Sequence, residues 1–230
     1  MKRFWTQVAV APEGDGHGVR LDGRPVRTPA RDPLILPGVA LAEAVAEEWR
    51  VQGEEIDPRT MPMTGLANAA IDHVAQNPAA FLRPLARYAE GDLLCYRAEA
   101  PQALIAREAA AWDPLLAWAR TRYDVAFEVT SGIVHRPQPE ATVRRLTAAL
   151  ATRSAFALAA MAPLITIGGS LIVALAVAEG TLEAHAAFDL TEVDEQWQAE
   201  QWGDDPLAIP ARDARRRDFT AAARFLDLLR

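Results

Sequence analysis

Between residues 3 and 36 apolar and polar positions alternate: Phe4, Thr6, Val8 and Val10 fall on every second position, and Val19 and Leu21 face Val26 and Thr28 across Asp22-Gly23. A period of two marks a half-buried strand, and Asp-Gly supports the positive φ that tight hairpins prefer. Pro25, Pro29, Pro33 and Pro37 limit strand length and suit edge positions, so the prediction is a small twisted sheet that stops at Pro37.

From Val39 the period changes to that of a helix. Leu41, Ala44, Val45 and Trp49 share one face, Glu43, Glu47 and Arg50 point elsewhere, and Gly53 ends the run. A second helix is expected after Pro62, reaching Ala75, and a third from Pro78, carrying Phe81, Leu85 and Tyr88. Leu93, Leu94, Cys95 and Tyr96 then form a short apolar run, and Pro101 restarts a helix bearing Leu104, Ile105, Glu108, Trp112 and Leu116. Asp113-Pro114 interrupts that pattern. Proline deletes a backbone donor inside a helix, whereas Asp as N-cap and Pro as first residue begin one comfortably, so two helices meeting at Trp112 are predicted.

Residues 125–134 alternate weakly, as one or two extended segments, and helical character returns over 140–152, 155–167, 170–179, 182–202 and 211–229. The fold class is α+β. Residues 1–37 are expected to form a small β domain, with part of 123–135 open as extra strands, and residues 38–230 a larger, mainly α-helical domain.

The run 154–178 carries no charge and has to be weighed as a membrane span, but Pro163 and Gly168-Gly169 break it into pieces too short to cross a bilayer. Two short buried helices, and no membrane insertion, are the expectation. MKRFWTQVAV lacks the features of a secretory signal. With 230 residues, half of them hydrophobic, the chain can bury a sizeable core. Its formal charge of -7 disfavours a broad grip on nucleic acid. Lys2 is the only lysine, a bias that GC-rich coding explains more simply than anion recognition. One cysteine excludes an internal disulfide and fits a reducing compartment, with the cytoplasm the expected location.

Candidate chemistry is sparse. His17, His73, His135 and His185 lie far apart and make no ligand pair, so neither metal nor cofactor is expected; His17, between two glycines, reads as a loop residue. No phosphate-binding loop is present, and Gly168-Gly169-Ser170 is not a nucleophile elbow. Glu90, Asp92 and Cys95 support a rival reading as a small-molecule hydrolase or isomerase, although the apolar neighbours of Cys95 favour a buried structural thiol. In TEVDEQWQAEQWG, residues 191–203, a helix would put Glu195, Gln198 and Trp202 on one face and Asp194, Trp197 and Gln201 on the next. Such a face is either core packing or an acidic, aromatic partner surface. The Arg212–Arg217 cluster reads as a solvated helix face.

Seven blocks carry a resemblance: KRFW at 2–5, LDGRPVRTPA at 21–30, LAEAVAEEW at 41–49, MPMTGLANAAID at 61–72, DLLCYRAEAP at 92–101, WDPLLAW at 112–118 and EQWQAEQWG at 195–203. In that order they resemble the family of ATP synthase assembly chaperones, mitochondrial and alphaproteobacterial, that hold the unassembled alpha subunit of the catalytic head. The resemblance implies a small β domain joined to a helical one, no enzymatic activity, and the free alpha subunit as partner, in the bacterial cytoplasm or, for eukaryotic relatives, the mitochondrial matrix. It also points to the acidic helix as the partner-binding element, here Asp194, Glu195, Gln198, Trp197 and Trp202, with Glu195 foremost. Gln196 departs from relatives that often carry a third acid there. Trp49 matches a family tryptophan and, with Trp112 and Asp113, is assigned a structural role.

Overall fold

The alternating N-terminal residues form an antiparallel sheet in the computed structural model, which describes residues 2–203 and 205–230. Strand β1 (Val8–Glu13) pairs with β2 (Gly16–Leu21), and β2 turns at Asp22-Gly23 into β3 (Arg24–Pro25) and also pairs with β4 (Ile35–Leu36). Pro12 and Pro25 are tolerated because β1 and β3 are edges, where a missing N–H costs no ladder bond. Asp22 and Gly23 take φ of 47° and 81°, and the Asp22 carboxylate accepts the backbone N–H groups of Thr6 and Gln7, tying the chain start to the turn. His17 lies within β2, not in a loop, because the reversal is made by Gly14, at φ 60°, one turn earlier.

Helix α1 (Val39–Arg50) buries Leu41, Ala42, Val45 and Ala46 and packs on β1 and β2. Its buried Glu48 accepts Met63 N, Thr64 N and Thr64 Oγ1 at 2.7–2.8 Å, so α1 supplies the cap for α2 (Pro62–Ala69). Desolvation raises the Glu48 pKa against the pull of those three donors. After α2 the helix widens into a π turn over Ala70–Val74, and α3 (Pro78–Ala86) follows. Half-buried Trp49 meets buried Trp5 edge to face at 5.2 Å. The sheet, α1, α2 and the first residues of α3 belong to one compact unit, Met1–Phe81 with Ser154–Ala160 and Arg224–Arg230, in which Phe156 stacks on Phe225.

The second unit comprises Leu82–Arg153 and Met161–Ala223. Strand β5 (Tyr96–Arg97) precedes α4 (Gln102–Tyr123), and β6 (Thr130–Ser131) pairs with β5 in parallel. The segment 123–135 therefore contributes one short strand to this separate ribbon and none to the N-terminal sheet. The remaining helices are α5 (Glu140–Ala151), α6 (Ala155–Gly168), α7 (Leu171–Ala178), α8 (Ala184–Thr191), α9 (Val193–Trp202) and α10 (Ile209–Asp227). A small N-terminal strand region followed by a larger helical part is an α+β arrangement.

Two corrections concern helix ends. Helix α4 runs unbroken through Asp113-Pro114, contrary to the predicted break. Trp112, Leu115, Leu116 and Ala119 are all buried, and Asp113, instead of capping a new helix, accepts from Arg97 at 2.7 Å, so packing outweighs the one missing donor. Conversely, 182–202 is two helices, parted at Glu192, whose side chain turns inward. Among the described residues no helix is long and apolar enough to cross a membrane; 154–178 folds as α6 and α7, with residues 171–177 buried all round.

Candidate functional site

The α8–α9–α10 corner is built by arginines reaching from α10. Arg215 Nη2 donates to both oxygens of buried Glu192 at 2.9 Å, and Arg216 donates to Asp189 at 2.8 Å while its guanidinium lies 4.6 Å from the centre of the Phe188 ring. The Arg212–Arg217 cluster, expected to be a solvated face, is thus in part a clamp: the acids it meets are those of the preceding helix pair. Desolvating Glu192 is tolerable because one arginine nitrogen is shared between both of its oxygens as a charge-assisted contact.

The clamp leaves a groove of about 320 Å³ lined by Glu192, Glu195, Gln198, Trp202, Ile209 and Arg212, among others. Its α9 wall is the predicted face, since Glu195, Gln198 and Trp202 come together there. Trp202 is 79% exposed and Leu207, on the turn into α10, 88%. Among the described residues, neither the indole nor the leucine is covered by a neighbour, so both are open to a partner. Glu195 is exposed and makes no ion pair among the described residues. Partial desolvation raises its pKa, and the charges of Glu192 and Asp194 push the same way against Arg215. Helix α9 places Asp194 and Trp197 elsewhere: both are half-buried and absent from the groove, and Asp194 faces Glu108 of α4.

Helix α9 is fixed to α4 from outside by Arg107, which donates to Glu200 at 2.6 Å and to Gln196 at 3.4 Å. Gln196, the departure from the resembled pattern, keeps this contact as a neutral acceptor. Trp112 is buried, donates through Nε1 to Leu190 O at 2.8 Å, and stacks under Arg97, whose guanidinium carbon lies 4.9 Å from its ring centre. Spacing alone could not reveal Arg212 or Arg215 as groove residues; the nearest signal was a run of arginines one helix away from a run of acids.

The residues of the enzyme reading do not converge. Asp92 is buried and accepts Leu94 N, Ser170 Oγ and Ile172 N, and burial pushes its pKa up to about 6. Cys95 is buried with its thiol pushed up to about 12, first by desolvation and then by the Asp92 charge, so it holds no thiolate at neutral pH. Glu90 lines a different, open cleft with Tyr88, His135 and Thr166. Among the described residues no group of three His, Cys, Asp or Glu side chains could hold a metal ion.

An open groove with an aromatic lip and, among the described residues, an acid without an ion pair has the form of a surface suited to another macromolecule. A family model described as the ATP12 chaperone protein matches residues 2–120. Atp12 from Paracoccus denitrificans is 42% identical in its crystal structure, which covers all of this chain and 98% of that one with a TM-score of 0.95. A protein from Agrobacterium tumefaciens described as a chaperone is 40% identical, covering all of this chain and 86% of that one, again with a TM-score of 0.95. The mitochondrial protein atp12 of Schizosaccharomyces pombe is 25% identical over 88% of this chain and 74% of its own length. The chain belongs to the ATP12 chaperone family: it is an ATP synthase assembly chaperone and not an enzyme.

Proposed function

We propose that this chaperone holds the free alpha subunit of the ATP synthase catalytic head through the α9–α10 groove, shielding the surface that later meets beta. The carrying observation is the pairing of Trp202 with Glu195: a large apolar group left in water beside an exposed carboxylate that makes no ion pair among the described residues and whose nearby Arg215 is engaged by Glu192. An arginine or lysine of the client, flanked by apolar side chains, would supply both missing partners. Glu195 takes the cation, while Trp202 and Gln198 line the apolar and polar edges of the contact. Trp197 and Asp194 support the same helix from behind.

A subunit awaiting its partner exposes apolar interface, so transient masking has to block aggregation while yielding to the final assembly. Differential affinity alone drives that exchange, without ATP. We place this work in the bacterial cytoplasm, and fractionation of cells tests the location.

The direct test is co-purification with unassembled alpha subunit, using beta as the control. Glu195→Lys reverses the charge at an exposed position, so capture of alpha should be abolished while the melting temperature stays within about 2 °C of the parent. Capture that survives the reversal removes Glu195 from the contact.

A further inference from the structure

Behind the groove, two carboxyl groups face each other where α4 packs on α9. Glu108 is completely buried, both its oxygens accept the Ala98 N–H at 3.1 and 2.9 Å, and the Asp194 carboxyl lies within hydrogen-bonding reach. Asp194 Oδ1 is itself buried and meets no donor among the described residues. Two carboxylates are acceptors only, and satisfy each other only when one carries a proton.

The surroundings leave that proton as the available bridge. Arg97 on β5 lowers the Glu108 pKa through its charge, but its guanidinium already donates to Leu94 O, Tyr96 O and Asp113. Arg107, next to Glu108 on α4, is taken by Glu200 and Gln196 of α9. Arg215 of α10 is taken by Glu192, and Glu192 and Glu195 add only negative charge on the α9 side. Desolvation raises the Glu108 pKa, and the neighbouring Asp194 raises it further.

We propose that the Glu108 carboxyl keeps its proton and donates it to Asp194, a bond that seats α9 against α4 and makes Asp194 a positioning residue for the groove. Its link to client binding rests on the reading given under Proposed function, because α9 is also the wall that carries Glu195, Gln198 and Trp202. Asp194 and Glu195, adjacent in sequence, then divide the labour: the first sets where the helix sits, the second faces outward. Loss of the proton puts two negative charges in contact away from water, and α9 relieves them by lifting off α4.

Amide hydrogen exchange reads this latch without any client. In the parent, protection over residues 193–202, corrected for intrinsic exchange rates, should fall roughly tenfold as pH rises from about 5 to about 8, the direction set by the raised Glu108 pKa, while residues 140–151 of α5 serve as the internal reference. Asp194→Asn places a permanent donor opposite Glu108, so its α9 protection should lose that pH dependence. Glu108→Gln, which keeps an acceptor for Ala98, should do the same and stands in if the first variant folds poorly. Protection that is flat with pH in the parent, or that changes in parallel in parent and variants, overturns the proposal. Capture of free alpha subunit is measured separately at both pH values: pH-dependent protection of α9 with pH-independent capture upholds the latch and moves the client surface elsewhere.

Discussion

Ser170 Oγ donates to Asp92 at 2.7 Å, joining residues 78 positions apart in a contact sealed from solvent. The same hydroxyl accepts Val173 N and Asp92 accepts Ile172 N, so two side chains together cap the first turn of α7. Ser170→Ala should cost about 1–3 kcal/mol in denaturant unfolding, the loss of a cap plus a donor to a buried carboxyl.

The pH dependence of this contact has a definite sign. Asp92 has a folded-state pKa of about 6 against an ordinary 3.8, so the folded chain holds more protons over that interval. Its contribution to stability is therefore fully present below about pH 4 and is lost as pH rises through about 6. Comparing parent with Asp92→Asn from about pH 4 to about pH 7 should show a steeper fall in the parent. Equal slopes would mean that Asp92 is ionised throughout.

Trp49 packs edge to face on Trp5 and fills the space between α1 and the start of the chain. Trp49→Ala should cost roughly 3 kcal/mol, the lower end for a tryptophan truncation because part of the ring remains in water. Thermal melting decides this, and a variant that melts like the parent would deny Trp49 its packing role.

Arg215→Ala would strand the buried Glu192 carboxylate. Because the arginine is half-exposed, water re-enters and the loss should be about 1–3 kcal/mol, below the range for a fully buried pair. Limited proteolysis should cut first near residues 205–208, where the clamp ends. Unchanged stability would mark the pair as incidental.

Trp202→Ala tests the groove from its apolar side. With the indole mostly in water, stability should change by no more than about 0.5 kcal/mol, whereas affinity for free alpha subunit should drop at least about tenfold if this is a central anchor. Calorimetry or surface capture gives the number.

Much of this was legible because period and chemistry agreed. The Asp22-Gly23 hairpin, the buried stripe of α1 and the face shared by Glu195, Gln198 and Trp202 follow from spacing alone. What escaped was decided at long range. Pro114 reads as a break until Arg97 is seen to claim Asp113, and Glu192 reads as mid-helix until Arg215 draws it inward. The bonds that Asp92, Glu48 and Glu108 make were not legible because nothing local says which backbone N–H groups they will meet. Asp194 and Glu195 are neighbours with the same charge, and only the packing of α4 separates their environments.

Helix α7 has no outward face: residues 171–177 are all buried, in a segment with neither charge nor amphipathic pattern to orient it. Such a segment cannot be stable by itself in water and must wait for the surrounding helices to enclose it. A fragment lacking α8–α10 would therefore present a sticky apolar rod, and would itself need the kind of protection this chaperone gives to others.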